Sequence, residues 1–259
     1  MSKVGILVPL YKSEPSEIEL LRLKVSLSSN LEVKKIVLFP KGLSLHQYRD
    51  VLKDVELLPW DPYFFLSRDH YNSLMLSLDL YRKLSTLLES IVVCQTDAFL
   101  VRSVRDLDQL GHCYIGASWN PPYIVSHVGN RVLLNRERLA KFTRNTYLVV
   151  GNGGLSFRNL EFMEKIVSLM AESRYWKRLN SLDNRKMNED LAISFFGQVN
   201  GFSIAPKAIA DKIFIETATF DSENIGGIYG FHALARNLPN IELKLLERFE
   251  PNSPHNFSY

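Results

Sequence analysis

Apolar residues along this chain recur with two spacings, and the alternation between them outlines a fold. Short continuous runs stand at residues 4–8 (Val-Gly-Ile-Leu-Val), 36–39 (Ile-Val-Leu-Phe) and 91–94 (Ile-Val-Val-Cys). Runs of that length and β-branched content predict strands buried on both faces. Between the first two, Ile18, Leu21, Val25 and Leu27 recur at helical spacing over 16–29, behind the acidic start Glu14, Glu17 and Glu19. Strand, helix, strand is a βαβ unit, so the sheet is expected to be mixed but mostly parallel, with helices on both faces. Strands 4–8 and 91–95 are both expected in its interior. The longest helical pattern, 67–88, places Leu74, Leu78, Tyr81, Leu84 and Leu88 on one face.

The remaining pattern is coarser. It predicts short helices at 44–53 and 104–110 and a strand at 55–58. A strand at 114–119 is expected to run into a loop, because 119–131 is rich in turn formers. Helices follow at 159–173 and within 183–200, then one or two strands at 202–215 and a loose tail from Pro251. Arg131, Arg136, Arg138, Lys141 and Arg144 form a basic cluster of the kind that is most often solvated surface. One domain over 1–259 is expected, with 236–259 as a C-terminal extension.

Composition changes this picture little. The chain is 46% hydrophobic and 23% charged with a net charge of +3, ordinary for a soluble globular domain. Two cysteines, Cys94 and Cys113, read as buried thiols in a reducing compartment. No apolar segment reaches the ~20 residues of a membrane helix. The N-terminal apolar run is too short for a signal peptide. A cytoplasmic protein is the expectation.

Candidate chemistry sits where apolar runs end. The strand at 91–94 stops on Gln95-Thr96-Asp97. A carboxylate there is costly to bury unpaired, and strand carboxyl ends are where open α/β sheets bind ligands. Asp97 is therefore a candidate functional acid, or simply a turn residue. Arg68 to Asn72 opens the long helix, either capping it or turning its positive end toward an anion. Gly151-Asn152-Gly153-Gly154 follows two valines and demands unusual backbone angles or close approach, without matching a phosphate-loop or dinucleotide motif. Glu189-Asp190 opens an apolar helix, where acids complement the helix dipole or supply a general base. His232 follows Gly226-Gly227-Ile228-Tyr229-Gly230-Phe231, a plausible loop site.

In order, Gln95-Thr96-Asp97, Ile115-Gly116-Ala117-Ser118-Trp119, Gly151 to Ser156 and Glu189-Asp190 resemble the motifs of nucleotide-sugar glycosyltransferases of the GT-A fold, more narrowly a bacterial and fungal family of that fold. The resemblance spans roughly residues 4–235. It implies a GT-A-like, Rossmann-like sheet and transfer of a sugar from a nucleoside-diphosphate donor to a glycan or lipid-linked glycan acceptor. Bacterial surface polysaccharide or lipopolysaccharide O-antigen synthesis is the implied setting. Peripheral contact with the inner face of the membrane or with other assembly enzymes follows from it, and nucleic acid is not implied. Asp97 and His232 would hold Mn²⁺ or Mg²⁺, with Gln95 standing where many such enzymes carry a first Asp. Pro9, Tyr11, Tyr71, Asn72, Gln95 and Thr96 would meet the donor nucleotide. Trp119, Asn152, Gly153 and Gly154 would meet the sugar or acceptor. Asp190 is the implied base of an inverting transfer, with Glu189 as the alternative; in a retaining enzyme the same residue would stabilise an oxocarbenium-like state. A non-catalytic nucleotide-sugar or carbohydrate binding module is the main competing reading, and a nucleotidyltransferase ranks last.

Overall fold

A computed structural model describes residues 3–128, 131–135, 144–173, 188–216, 220–223 and 225–251. Its centre is a sheet of six strands in the order β3-β2-β1-β4-β10-β6. These are β1 (Val4–Pro9), β2 (Lys34–Pro40), β3 (Glu56–Trp60), β4 (Ser90–Cys94), β6 (Tyr114–Gly116) and β10 (Leu155–Asn159). The first four run parallel, and β10 is antiparallel to both β4 and β6. The sheet is thus mixed and mostly parallel. β1 and β4 lie side by side in its interior, as their unbroken apolar runs require.

Helices cover both faces. Helix α1 (Glu17–Ser28) opens with a capping box: Ser16 Oγ accepts from Glu19 N while Glu19 accepts from Ser16 N. It packs with Val4, Ile6, Val8, Val37 and Val92 on one face. On the other face, Leu7, Ile36, Leu38, Ile91 and Val93 meet α2 (Arg68–Leu74), α3 (Leu78–Ser85), α4 (Leu160–Glu172) and α5 (Glu189–Val199). Helix α6 (Lys207–Ile213) lies beside β6 and α7 (Pro239–Phe249) beside α1. A small sheet, β11-β12-β5, joins β5 (Ala98–Leu100), β11 (Phe214–Ile215) and β12 (Gly230–His232). A third, β8-β7-β9, contains β7 (Ser118–Val128), β8 (Arg131–Asn135) and β9 (Arg144–Val150).

Four local expectations are revised. The helix over 67–88 is two helices: Ser77 is extended, and Tyr81 Oη donates to the Met75 carbonyl, satisfying an acceptor that the break exposes. Residues 44–53 hold only a 3₁₀ turn, His46–Tyr48, anchored where Tyr48 Oη donates to Lys12 O. The turn-rich stretch from 119 is part of β7, whose pairing with β9 is irregular between Ser118 and Tyr123. Prolines 121 and 122 fall in that gap, where no ladder amide is needed. Half of 202–215 is α6, opened behind Pro206 with Ala210 and Ile213 buried at i, i+3 spacing, and the expected strand is confined to β11 at its end. The basic cluster from Arg136 to Lys141 and the tail beyond Pro251 lie outside the described residues.

Helix α7, placed by sequence in an extension, is built into the core. Leu245 and Leu246 are buried beside Val25, Phe99 and Phe231. Among the described residues, no helix is long and apolar enough to cross a membrane.

Candidate active site

The four sequence motifs meet because their strands are neighbours. β10 pairs with β4 at Leu155–Cys94 and with β6 at Ser156–Gly116. The ladder continues one step past β4, where Gln95 N donates to Gly154 O at 2.8 Å. So the Gln-Thr-Asp strand end, the Gly-Asn-Gly-Gly loop and the Ile-Gly-Ala segment lie side by side. The small sheet adds the last wall: β12 pairs with β5 at His232–Ala98, setting His232 beside Asp97.

Close approach explains the glycines. A Cβ on Gly154 would stand 2.2 Å from His232 Nε2, and one on Gly153 would stand 1.7 Å from Glu189 Oε1. Asn152, between Gly151 and Gly153, adopts a left-handed φ of 74°. Its Oδ1 accepts from Gly154 N at 3.0 Å and Leu155 N at 3.3 Å, which holds the turn. Its side-chain nitrogen lies 2.9 Å from His232 Nδ1.

The adjacent carboxylates of α5 point to different surroundings. Glu189 is buried and pairs with Arg158, Oε1 to Nη2 3.3 Å, inside the protein. Arg158 also donates to Gly153 O, Tyr81 Oη and Ser156 Oγ. A buried guanidinium so fully engaged is a scaffold for the loop. Asp190 is half-buried. Its Oδ2 accepts from Asn152 N at 3.1 Å and Gly153 N at 3.3 Å, and Oδ1 from Leu191 N at 2.7 Å. Burial and the neighbouring Glu189 charge push its carboxyl up to about 7, against the pull of those amides and of Arg158.

Asp97 Oδ1 lies 3.3 Å from His232 Nε2, and Oδ2 accepts from Arg236 at 3.1 Å. Burial disfavours the Asp97 carboxylate, but His232 and Arg236 hold it below the usual range. His232 Nδ1 is 3.2 Å from Glu216 Oε1. Burial opposes the charged imidazolium, yet hydrogen bonds and charge from Asp97 and Glu216 push it up to about 9. Among the described residues no three His, Cys, Asp or Glu side chains form a ready metal cluster. The two-ligand set fits a cation nevertheless. With the proton now shared in their ion pair displaced, the Asp97 oxygen and the His232 nitrogen are of the ligand types that take Mn²⁺ or Mg²⁺. Glu216 on the far ring nitrogen is the outer carboxylate that such histidines usually have.

The other candidates divide. Asn72 donates to Asn188 Oδ1 at 3.3 Å, bringing the second half of α2 to the start of α5. Tyr71 Oη is buried with no hydrogen-bond partner among the described residues. Thr96 Oγ1 donates to Glu19 Oε1 at 3.3 Å, and Lys12 donates to the same oxygen at 2.8 Å. Tyr11 is exposed beside Lys12. Pro9 ends β1 in the core. Trp119 is buried, packed against Gly151 and edge-on to Tyr123, so it buttresses the loop and has no open ring face. Sequence reasoning missed Glu19, Arg158, Glu216 and Arg236. Glu19 carried a capping-box signal, but nothing local marked the other three.

The family model described as a protein of unknown function (DUF5672) matches residues 54–228. The chain belongs to that family. The matched stretch holds Asp97, the glycine loop and Glu189-Asp190, and stops short of His232. No curated protein matches the chain. Among solved structures, apo mouse xyloside xylosyltransferase 1 is similar at 14% identity and TM-score 0.52, covering 88% of this chain and 96% of that one. The apo WbbM bifunctional glycosyltransferase is similar at 10% identity and TM-score 0.52. That likeness covers 98% of this chain, which spans 50% of the WbbM chain. At these identities the likeness establishes the fold, and this DUF5672 member has the GT-A-like fold of those glycosyltransferases.

Proposed function

We propose that this protein transfers a sugar from a nucleoside-diphosphate donor to a hydroxyl of a glycan or glycolipid acceptor. The observation that carries the reading is the convergence of Asp97 and His232 with a glycine loop held by Asp190. Mn²⁺ or Mg²⁺ held by Asp97 and His232 would neutralise charge on the departing diphosphate. Arg236 and Lys12 add fixed positive charge on that side. Gly153 and Gly154, buried against Glu189 and His232, let the loop pack tightly beside these residues. Asp190 accepts the proton of the attacking hydroxyl, its raised pKa matching base duty near neutral pH. Inversion of configuration follows from a base acting opposite the leaving group. Bacterial surface polysaccharide or lipopolysaccharide O-antigen assembly is the proposed setting, with membrane-associated assembly enzymes as neighbours.

Thermal shift with a panel of nucleoside diphosphates, each with and without Mn²⁺, tests the donor half. A metal-dependent rise in midpoint is expected for one of the nucleotides. Asp97→Asn is expected to erase that rise while leaving the ligand-free midpoint near wild type. A full response in the variant would remove Asp97 as a ligand. Donor consumption with acceptor, run on the same protein, separates transfer from binding alone.

A further inference from the structure

The candidate metal site has a support that lies outside the region matched by the family model. Arg22 of α1 is buried, and so is Glu242 of α7. Arg22 Nε and Nη2 donate to Glu242 Oε1 at 2.8 and 2.5 Å. The third arm reaches the site itself, with Arg22 Nη1 donating to the carbonyl of Thr96 at 3.3 Å. The other Glu242 oxygen accepts from Ala235 N at 2.7 Å. Ala235 belongs to the turn joining His232 to Arg236, and Ala233 N of that turn donates to Asp97 O at 2.9 Å. The contacts close a ring. One side of the ion pair grips the backbone beside Asp97, and the other grips the backbone between His232 and Arg236.

We infer that Arg22 and Glu242 are positioning residues, setting the Asp97 and His232 segments at the separation a divalent cation needs. The inference rests on the metal reading above. A guanidinium is suited to it because its planar fork engages a carboxylate and a carbonyl together, which a lysine ammonium on a flexible stem does not. A second ion pair joins α1 to the end of α7 without touching the site: Lys24 Nζ to Glu250 Oε1, 2.8 Å, partly exposed. It supplies the control for simple helix docking.

The test measures Mn²⁺ binding by loss of the free-ion electron paramagnetic resonance signal, with inorganic pyrophosphate present, beside the ligand-free melting temperature. Arg22→Lys keeps the charge balance with Glu242. It is expected to melt near wild type and to bind Mn²⁺ at least ~10-fold more weakly, the scale of lost outer-shell support. The paired change Arg22→Met with Glu242→Met removes both charges, which buried pairs often tolerate in stability, and is expected to show the same loss. Lys24→Met is expected to bind as wild type. Wild-type Mn²⁺ affinity in either Arg22 variant, or an equal loss in Lys24→Met, would overturn the positioning role. Absence of Mn²⁺ binding by the wild-type protein would instead overturn the metal reading on which the inference rests.

Discussion

Asp190 and Glu189 are neighbours in sequence with opposite surroundings, and their variants should differ accordingly. Asp190→Asn keeps the shape and one acceptor oxygen for the loop amides, so stability should change by only about 1 kcal/mol. Transfer should fall at least ~100-fold with nucleotide affinity intact, the lower end of what a general base supplies. Full turnover in the variant would remove Asp190 as the base. The pH dependence has a definite sign. With its carboxyl pushed up to about 7, Asp190 becomes a base as pH rises, so kcat/KM should climb through neutrality and that limb should vanish in Asp190→Asn. Stability runs the other way. Between the ordinary carboxylate range and about 7, the folded state binds the proton that the unfolded chain releases, so the Asp190 contribution falls as pH rises. Urea melts of wild type and variant across that window should show the difference.

At the scale of elements, the loop 151–154 holds its shape by being wedged between β6, α5 and the Arg158 network. Arg158 is fully buried on β10, and Glu189 is its carboxylate partner. Glu189→Gln leaves that guanidinium charged without an opposing charge in the core, which should destabilise by about 3–5 kcal/mol. Denaturant unfolding decides it, and a change below 1 kcal/mol would mean the network does not hold the loop. The contrast with Asp190→Asn would separate scaffold from chemistry within one helix turn.

For the whole molecule, the C-terminal helix is the informative part. α7 closes one core cluster with Leu245 and Leu246 and neutralises Arg22 through Glu242. A chain ended at residue 237 should therefore lose cooperative folding, seen as a broad or absent thermal transition by circular dichroism. A sharp melt near the full-length value would show that residues beyond 237 are dispensable. The construction of the site also crosses the matched family boundary, since His232, Arg236 and Glu242 stand beyond residue 228.

What the amino-acid sequence determined by itself was mostly local. Continuous apolar runs marked β1, β2 and β4 because a strand covered on both faces needs nothing else. Helical spacing marked α1, and the order of the motifs resembled one fold. The break at Ser77 leaves no mark in the sequence because helical periodicity runs on through it; Tyr81 Oη satisfies the Met75 carbonyl there. Residues 202–215 read as strand, yet Pro206 within them is the residue that opens a helix. Tertiary structure alone decided which acid is buried. Glu189 and Asp190 are equivalent in sequence until Arg158, arriving from β10, takes one of them. It likewise decided that His232 faces Asp97, because antiparallel pairing of β12 with β5 brings together residues far apart along the chain. Charge pairs of that separation leave no periodic trace, since either partner alone looks like an ordinary surface residue until the fold buries both.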